Sequence, residues 1–285
     1  MLKALLLGTA AILALAALGL VVLRFGDALR DRRAWAAHLA RQPAAPAVFT
    51  PDLVANLPDP ARRYFLDVIR PGTPLRTVAE IDMAGQFSLG SRDNPNYGPM
   101  RAEQILAPPY GFVWKMRSGM IGGSDGMDAS GTWLRFRLFG LVPVARAGGP
   151  AATHPDEFRS TLGRVAGEAV AWAPAALLPG DHVRWEQVSD DTARVIVSYR
   201  GVEQPVEITV AEDGRPVSMV MPRWSNANPA RVWQIQPFGG EISEFRTFGG
   251  CRLPTRVDGG NFYGTPDYFP FFRAEVTDIR FPAPE

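Results

Sequence analysis

The sequence predicts a mainly β protein of the α+β class, in which an N-terminal transmembrane helix precedes a curled antiparallel sheet or half-barrel of about ten strands covered by a helix. Three observations support this prediction. The chain runs from Ala4 to Leu23 without a charged residue. Further along, apolar residues alternate with polar ones, as they do in half-buried strands. The 28 glycines and 26 prolines indicate many turns between short elements.

The first element is the apolar segment of twenty residues from Ala4 to Leu23. As a helix, a segment of this length can cross a hydrocarbon core of about 30 Å. A secretory signal has a shorter apolar stretch, of roughly 7–15 residues, that ends at a small-residue cleavage site. This segment ends instead in Val21-Val22-Leu23-Arg24. We therefore predict an uncleaved signal anchor over residues 1–23.

Two helices are predicted between the anchor and the sheet. The first has helical composition from Asp27 to Ala40, and prolines at positions 43 and 46 end it. Residues 24–56 are therefore predicted to form a juxtamembrane helix and a stiff linker. The second begins at Asp59-Pro60, where Asp59 is expected to be the N-cap, and it ends before Pro71. Residues 57–285 are predicted to form a single β-rich domain.

Alternation of apolar and polar residues marks the strands of this domain. Each predicted strand has one apolar face and one polar face, as in an antiparallel sheet with one wet side. The sequence Glu212-Asp213-Gly214 is a tight hairpin signal between two of the strands. The clearest strand segments are residues 79–89, 112–117, 134–138, 195–200, 206–210, 217–221, 242–248, 252–257 and 273–281.

One helix interrupts the strands. It is predicted to start near His154-Pro155-Asp156 and to run from Phe158 to Trp172 with one apolar face. An antiparallel sheet with an apolar face must cover that face, and this helix with Leu177-Leu178 supplies the cover. We therefore expect the sheet to curl around the helix.

Charge and cysteine content exclude several functions. The formal net charge is +1, and Lys3 is the only charged residue before Arg24, so the part after the anchor is neutral overall. A neutral domain does not attract nucleic acid, and no nucleic-acid partner is predicted. Cys251 is the only cysteine, so an internal disulfide is impossible. It is expected to be structural or incidental, since no base can be placed beside it.

A sheet curled around a helix can enclose a hydrophobic hollow, and large aromatic residues fall on the predicted strands and helix. We predict that they bind a lipid-like ligand. Arg135 and Arg137 share a strand face with Trp133 and could hold an anionic head group. The alternative is an ordinary packed core with two solvated arginines. The predicted ligand-binding residues are Trp114, Trp133, Phe136, Arg135, Arg137, Trp172, Trp185 and Trp233.

Residues suited to catalysis or metal binding are sparse. The histidines His38, His154 and His182 do not recur at metal-ligand spacing, and no Gly-x-Ser-x-Gly motif is present. No catalytic residue, metal or cofactor is therefore predicted. Asp181 beside His182 leaves open an Asp–His pair at the barrel mouth. The glycine-rich segment from Gly122 to Asp128 is interpreted as a hairpin loop, with a hard-cation site as the alternative.

Several short motifs resemble a known family. Over about Leu57 to Phe281 the chain resembles a widespread bacterial family of uncharacterised membrane-anchored proteins, which brings no assigned activity or catalytic residues. The strand rhythm, with Phe245, Gly250 and Leu253-Pro254, is more distantly similar to half-barrel lipoprotein carriers of the LolA/LolB type, a likeness of fold. The motifs are Leu57-Pro58-Asp59-Pro60, Arg62-Arg63-Tyr64-Phe65, Gly85-Gln86-Phe87, Phe112-Val113-Trp114, Gly140-Leu141-Val142-Pro143-Val144, Arg252-Leu253-Pro254-Thr255-Arg256 and Glu275-Val276-Thr277-Asp278-Ile279.

The sequence thus predicts a membrane-anchored, non-catalytic binder of a hydrophobic or lipid-like ligand. Two alternatives stay open: a structural or partner-binding module at the membrane, and a hydrolase with dispersed polar residues at the barrel mouth. The sequence identifies no protein partner.

The location predicted for the chain is the bacterial inner membrane, with a single pass. Arg24, Arg30, Arg32 and Arg33 follow the anchor, and the positive-inside rule would keep the large domain in the cytoplasm because of them. Relatives of the expected fold mostly work outside the cytoplasm. We expect the extracytoplasmic side.

Overall fold

A computed structural model of the chain describes residues 1–283, except for the side chains at positions 2 and 4. Within this range lie three α-helices, α1 (Leu2–Leu39), α2 (Asp59–Val68) and α3 (Pro155–Trp172), and short 3-10 helices at Pro51–Val54 and Pro174–Leu177. The strands are β1 (Ala79–Phe87), β2 (Gly98–Ala107), β3 (Gly111–Ser118), β4 (Ile121–Asp128), β5 (Gly131–Leu138), β6 (Val142–Ala147), β7 (Val183–Gln187), β8 (Thr192–Tyr199), β9 (Val202–Val210), β10 (Pro216–Ser225), β11 (Gln234–Phe248), β12 (Cys251–Asn261) and β13 (Phe269–Arg280).

All of these strands belong to one antiparallel sheet. Its order is β6-β5-β4-β3-β2-β1-β13-β12-β11-β10-β9-β8-β7. Strands β1 to β6 and β7 to β13 are therefore two meanders, and the pairing of β1 with β13 joins them. The sheet curls into a half-barrel, and α3, which connects the two meanders, covers it. This architecture confirms the predicted fold class.

The sheet has thirteen strands rather than about ten. Strands β2, β4 and β6 were not expected. Strands β2 and β6 each contain a proline, and β4 is rich in glycine. Each of these features weakens an alternation signal.

The segment from Gly122 to Asp128, predicted to be a hairpin loop, is instead most of strand β4. Close packing requires glycine at two of its positions, Gly123 and Gly126. A Cβ at Gly126 would lie 2.5 Å from both the carbonyl oxygen of Phe112 and the ring of Trp133. The glycines therefore allow neighbouring groups to approach the strand, and the loop interpretation is wrong.

The inner face of the sheet, the face that α2 and α3 cover, carries the main hydrophobic core. α3 begins after His154, close to the predicted start, and buries Leu162, Val165 and Ala169 completely. From α2, the hydroxyl of the buried Tyr64 donates to the main chain of α3 at 2.7 Å. The two helices therefore pack on each other as well as on the sheet.

Helix α2 starts one residue earlier than predicted. Pro58 occupies the N-cap position, and Asp59 is the first helical residue. The carboxylate of Asp59 accepts hydrogen bonds from Arg62 and Arg63 one turn further along. Asp59 still favours the start of the helix, because negative charge near a helix N-terminus is stabilised by the helix dipole.

Helix α1 is continuous, and its two parts have different surroundings. The first part is exposed and apolar, and α1 is the one helix within residues 1–283 that is long and apolar enough to cross a membrane. From Asp27 onward α1 packs on the opposite face of the sheet, the outer face, where Ala34 is buried against Trp133. Gln42 then hydrogen-bonds the main chain of Val78. The segment predicted as a juxtamembrane helix and linker is therefore packed onto the domain.

Candidate functional site

The predicted ligand-binding residues divide between the two faces of the sheet. Side chains alternate along β5, so Trp133, Arg135 and Arg137 share the outer face, as the sequence predicted. The eight residues do not form one site. The five that lie on the inner side or its rim are Trp114, Phe136, Trp172, Trp185 and Trp233.

The hollow on the inner side is largely filled by protein. The ring centres of Trp114 and Phe136 lie 6.5 Å apart, Trp172 is almost fully buried, and Trp185 packs against α2. A cavity of about 190 Å³ remains between β5 and α3, with Trp233 in its wall. Typical ligand pockets measure about 300–1,000 Å³. The inner side is therefore a packed core around a small cavity.

A charged cluster lies in and beside the wall of this cavity. Arg164 of α3 donates to Asp125 of β4 at 2.7 Å and to Glu168 at 2.6 Å. Burial raises the pKa of Asp125 to about 6, although Arg164 opposes this rise. Arg223 lies in the same wall, and burial lowers its pKa to about 10. Because one guanidinium bridges both carboxylates, the cluster balances charge within the core rather than presenting a free acid and base.

On the outer face, buried ion pairs hold α1 against the sheet. Asp27 accepts hydrogen bonds from Arg146 of β6 at 2.7 Å and from Arg137 of β5. Asp31, one turn further along α1, accepts a hydrogen bond from Arg135 at 3.2 Å. Asp27 is 3% exposed and Arg137 is 8% exposed. Arg135 and Arg137, which the sequence predicted to bind an anionic head group, therefore pair with carboxylates of the same chain.

Between α1 and the edge of the sheet lies a cleft of about 750 Å³, which we name the arginine groove. Its walls are one side of α1, the turn between β4 and β5, and the end of β6. Trp133, Ala34 and Ala37 contribute apolar surface. The arginines that line it are Arg30, Arg33, Arg41, Arg135 and Arg146.

The arginine groove carries an excess of positive charge. Asp128 is the single carboxylate residue among the described residues that line it. Arg30 and Arg33 are exposed on the side of α1 that faces the groove. The guanidinium of Arg41 lies 3.9 Å from the ring centre of Tyr110 at the far end. Guanidinium groups bind carboxylate and phosphate through paired hydrogen bonds, so the groove suits an anionic ligand.

His38, His182 and Cys251 each pack against other parts of the chain. A ring nitrogen of His38 lies 2.9 Å from the carbonyl oxygen of Met127, beneath α1. His182 packs edge-on against Tyr110. Burial raises the pKa of Cys251 to about 12, so the thiol stays protonated. Within residues 1–283, no group of three or more His, Cys, Asp or Glu side chains is placed to hold a metal ion.

The prediction from sequence missed the partners of the β5 arginines. Asp27, Asp31, Ala34 and His38 recur every three or four residues, which places them on one side of a helix. This side carries two acids and a small residue, immediately after an apolar segment. Two strand arginines on one face were the complementary signal, and together these patterns could have indicated the contact.

Fold and site together define a half-barrel that bears an apolar N-terminal helix, with a basic groove between that helix and the sheet. The chain belongs to DUF6544, a family of unknown function, whose model matches residues 47–274. This family membership confirms the resemblance expected from the sequence motifs. Comparison with curated proteins gives no match.

Two solved structures are similar in fold. A LolA superfamily protein from Nitrosomonas europaea has a TM-score of 0.43 and 9% identity, over 79% of this chain and 92% of that chain. An outer membrane lipoprotein-sorting protein domain from Vibrio parahaemolyticus has a TM-score of 0.35 and 10% identity, over 72% of this chain and 85% of that chain. Both are of the LolA type named for the strand rhythm, and with TM-scores below 0.5 they support no statement about the function of this chain.

Proposed function

We propose that the protein is a single-pass, membrane-anchored, non-catalytic binder of an anionic lipid-like molecule, whose head group occupies the arginine groove. One observation carries the proposal. Five arginine side chains line a cleft of about 750 Å³ in which Asp128 is the single carboxylate residue among the described lining residues. A set of cations gathered in a cleft, rather than scattered over a surface, favours a bound anion.

The charge of the groove exceeds what the chain neutralises. Asp27 and Asp31 pair with Arg135 and Arg146 and so offset part of the charge of the wall. Asp27 also pairs with Arg137 behind the groove, so two carboxylates serve three arginines. The arginines on α1 add to that excess. An anion in the groove would balance it.

The position of the groove supports a ligand from the membrane. Arg30 follows Leu23, the last residue of the apolar segment, by seven positions, which is about 10 Å along a helix. Lipid head groups occupy a layer several ångströms thick on each side of the hydrocarbon core. The near end of the groove is therefore within reach of a head group in the same leaflet.

The chemistry of the walls fits an amphiphile. The guanidinium of Arg33 can donate paired hydrogen bonds to a phosphate or carboxylate. Ala34, Ala37 and the ring of Trp133 offer apolar surface beside it for the adjoining glycerol and upper acyl carbons. Of the residues predicted from sequence to bind the ligand, this proposal keeps Trp133 and Arg135.

The test uses the full chain in detergent with defined lipids and native mass spectrometry. We expect phosphatidylglycerol to be retained over phosphatidylcholine, and the double substitution Arg30→Gln with Arg33→Gln to reduce that retention by about tenfold. Arg32→Gln is the matched control, because Arg32 is on the same helix but does not line the groove. Equal retention by the double variant and the control would refute the proposal.

The extracytoplasmic placement of the domain stays a prediction. Protease added to intact spheroplasts would digest a domain on that side and spare one in the cytoplasm. The groove proposal does not depend on the result, because both leaflets contain phospholipid head groups.

A further inference from the structure

Three hairpin loops at one end of the sheet, β1–β2, β3–β4 and β5–β6, carry exposed apolar side chains. Leu89 in the β1–β2 loop is 83% exposed, Met120 in the β3–β4 turn is 62% exposed, and Phe139 in the β5–β6 turn is 68% exposed. Val142 and Val144 of the neighbouring edge strand are about half exposed. Apolar side chains grouped in this way indicate contact with another apolar phase.

These loops lie beside the point where α1 leaves its apolar segment. Arg24 is the first charged residue after that segment. A Cβ at Gly140, in the β5–β6 turn, would lie 3.6 Å from the guanidinium of Arg24. The N–H of Phe139 donates to the carbonyl oxygen of Met120 at 2.8 Å, which joins the second and third loops. The loops are therefore level with the end of the apolar segment.

The path of α1 along the sheet gives the same placement. His38 contacts Met127 near the end of β4 that leads into the 129–130 turn, whereas Asp27 contacts Arg137, two residues before Phe139. The helix thus approaches the three loops as it approaches the apolar segment. At the other end of β5, residues 129–130 form a turn of small and polar residues, far from the apolar segment of α1.

We propose that Leu89, Met120 and Phe139 insert into the interfacial region of the leaflet from which α1 emerges, so that the sheet touches the bilayer at a second place. This inference rests on the membrane anchoring in the proposed function but not on ligand binding. Phe139 has a φ of +52°, a left-handed conformation that is uncommon for a bulky residue and often marks a functional position. Arg24 and Arg117 flank the apolar loops and suit contact with lipid phosphates.

The consequence is a fixed orientation of the domain. A single membrane helix lets the domain rotate and tilt, whereas a helix with three loop contacts fixes one orientation of the domain relative to the membrane. In that orientation the near end of the arginine groove faces the head-group layer. The loops would therefore hold the groove where membrane lipid can enter it.

The test places an environment-sensitive nitrobenzoxadiazole label on single introduced cysteines in the full chain. The variants are Met120→Cys and Phe139→Cys, with Ala129→Cys as the matched control at the other end of β5. Native Cys251 is buried and stays unlabelled because its thiol remains protonated. The protein is reconstituted in nanodiscs of phosphatidylglycerol and phosphatidylcholine that contain spin-labelled lipid. A label at Leu15→Cys reports separately whether α1 is inserted.

We expect the spin-labelled lipid to quench the labels at positions 120 and 139 at least about threefold more than the label at 129, with emission shifted to the blue. Water-like emission at 120 and 139 with a quenched label at 15 would overturn the loop proposal and leave the anchor and the groove standing. An unquenched label at 15 would overturn both the anchor and the loop contact. Quenching that is equal at 120, 129 and 139 would also contradict the proposal.

Discussion

Asp27 of α1 accepts a hydrogen bond from Arg146 of β6 at 2.7 Å, across 119 positions of sequence. This contact links the helix that carries the apolar segment to the edge strand of the sheet. Arg137 donates to the same carboxylate from the neighbouring strand. Because all three groups are held together, the domain follows the orientation of α1 rather than moving freely on a linker. The groove therefore keeps a fixed distance from the membrane.

Replacing Asp27 by asparagine should destabilise the protein by about 3 kcal/mol, because loss of one partner leaves the buried Arg137 uncompensated. The measurement is the free energy of unfolding in detergent, followed by circular dichroism. Asp52→Asn is the control, since Asp52 is exposed on the surface. If the Asp27→Asn and Asp52→Asn variants have the same free energy of unfolding, the ion pairs do not hold α1 in place.

Replacing Gly126 by alanine should cost about 1–3 kcal/mol, as overpacking of a well-packed site does. The new Cβ would lie 2.5 Å from the ring of Trp133 and must displace it. Gly259→Ala is the matched strand control, because the nearest atom to its Cβ would be 4.0 Å away. The melting temperature should fall for Gly126→Ala and stay close to that of the wild type for Gly259→Ala. The reverse order would refute the packing described for β4.

Replacing Phe136 by aspartate should unfold the domain, because the new charge would lie against the core, beside Trp114. Phe139→Asp makes the same chemical change three residues away at an exposed turn. It should change the free energy of unfolding by less than about 0.5 kcal/mol. Thermal melts of both variants provide the comparison. A folded and stable Phe136→Asp variant would mean that the inner face is an open hollow.

The stability of the protein should depend on Asp125 in a defined pH window. Its folded pKa is about 6, above the ordinary value of 3.8, so the folded state binds the proton more tightly than the unfolded state does. Stability therefore rises as pH falls through 6 and levels off below the unfolded pKa. Arg164, Glu168 and Arg223 face the same carboxyl and set the size of the effect.

The measurement for Asp125 is the free energy of unfolding of the wild type and of Asp125→Asn at pH 7 and pH 4.5. We expect the wild type to gain on the order of 2 kcal/mol relative to the variant on acidification. The variant is the control for all other titrating groups. If the stability of the wild type relative to the variant stays constant or falls on acidification, the carboxyl is not buried as described.

Much of the fold was predictable because it depends on local pattern. The alternation around Phe112 and Trp114 and the apolar face from Phe158 to Trp172 each predicted an element that the structure contains. Strand β4 was not predictable in this way. Its glycines favour a loop by propensity. The sequence does not show that the ring of Trp133 packs so close to the strand that a Cβ at Gly126 would not fit.

The site was only partly predictable. Strand alternation correctly placed Trp133, Arg135 and Arg137 on one face, because side chains on a strand alternate by geometry. The same rule does not reveal what packs on that face. The contact of α1 with β5 joins parts of the chain about a hundred residues apart, and single-sequence periodicity carries no information on such pairings.

The most direct test of the proposed function is native mass spectrometry with lipid extraction on the full chain, purified gently from its own membrane. We expect about one anionic lipid-like molecule bound per chain. We also expect that Arg30→Gln with Arg33→Gln removes that molecule while Arg32→Gln retains it. A protein that purifies empty, or that carries only neutral or zwitterionic lipid, would contradict the proposed function.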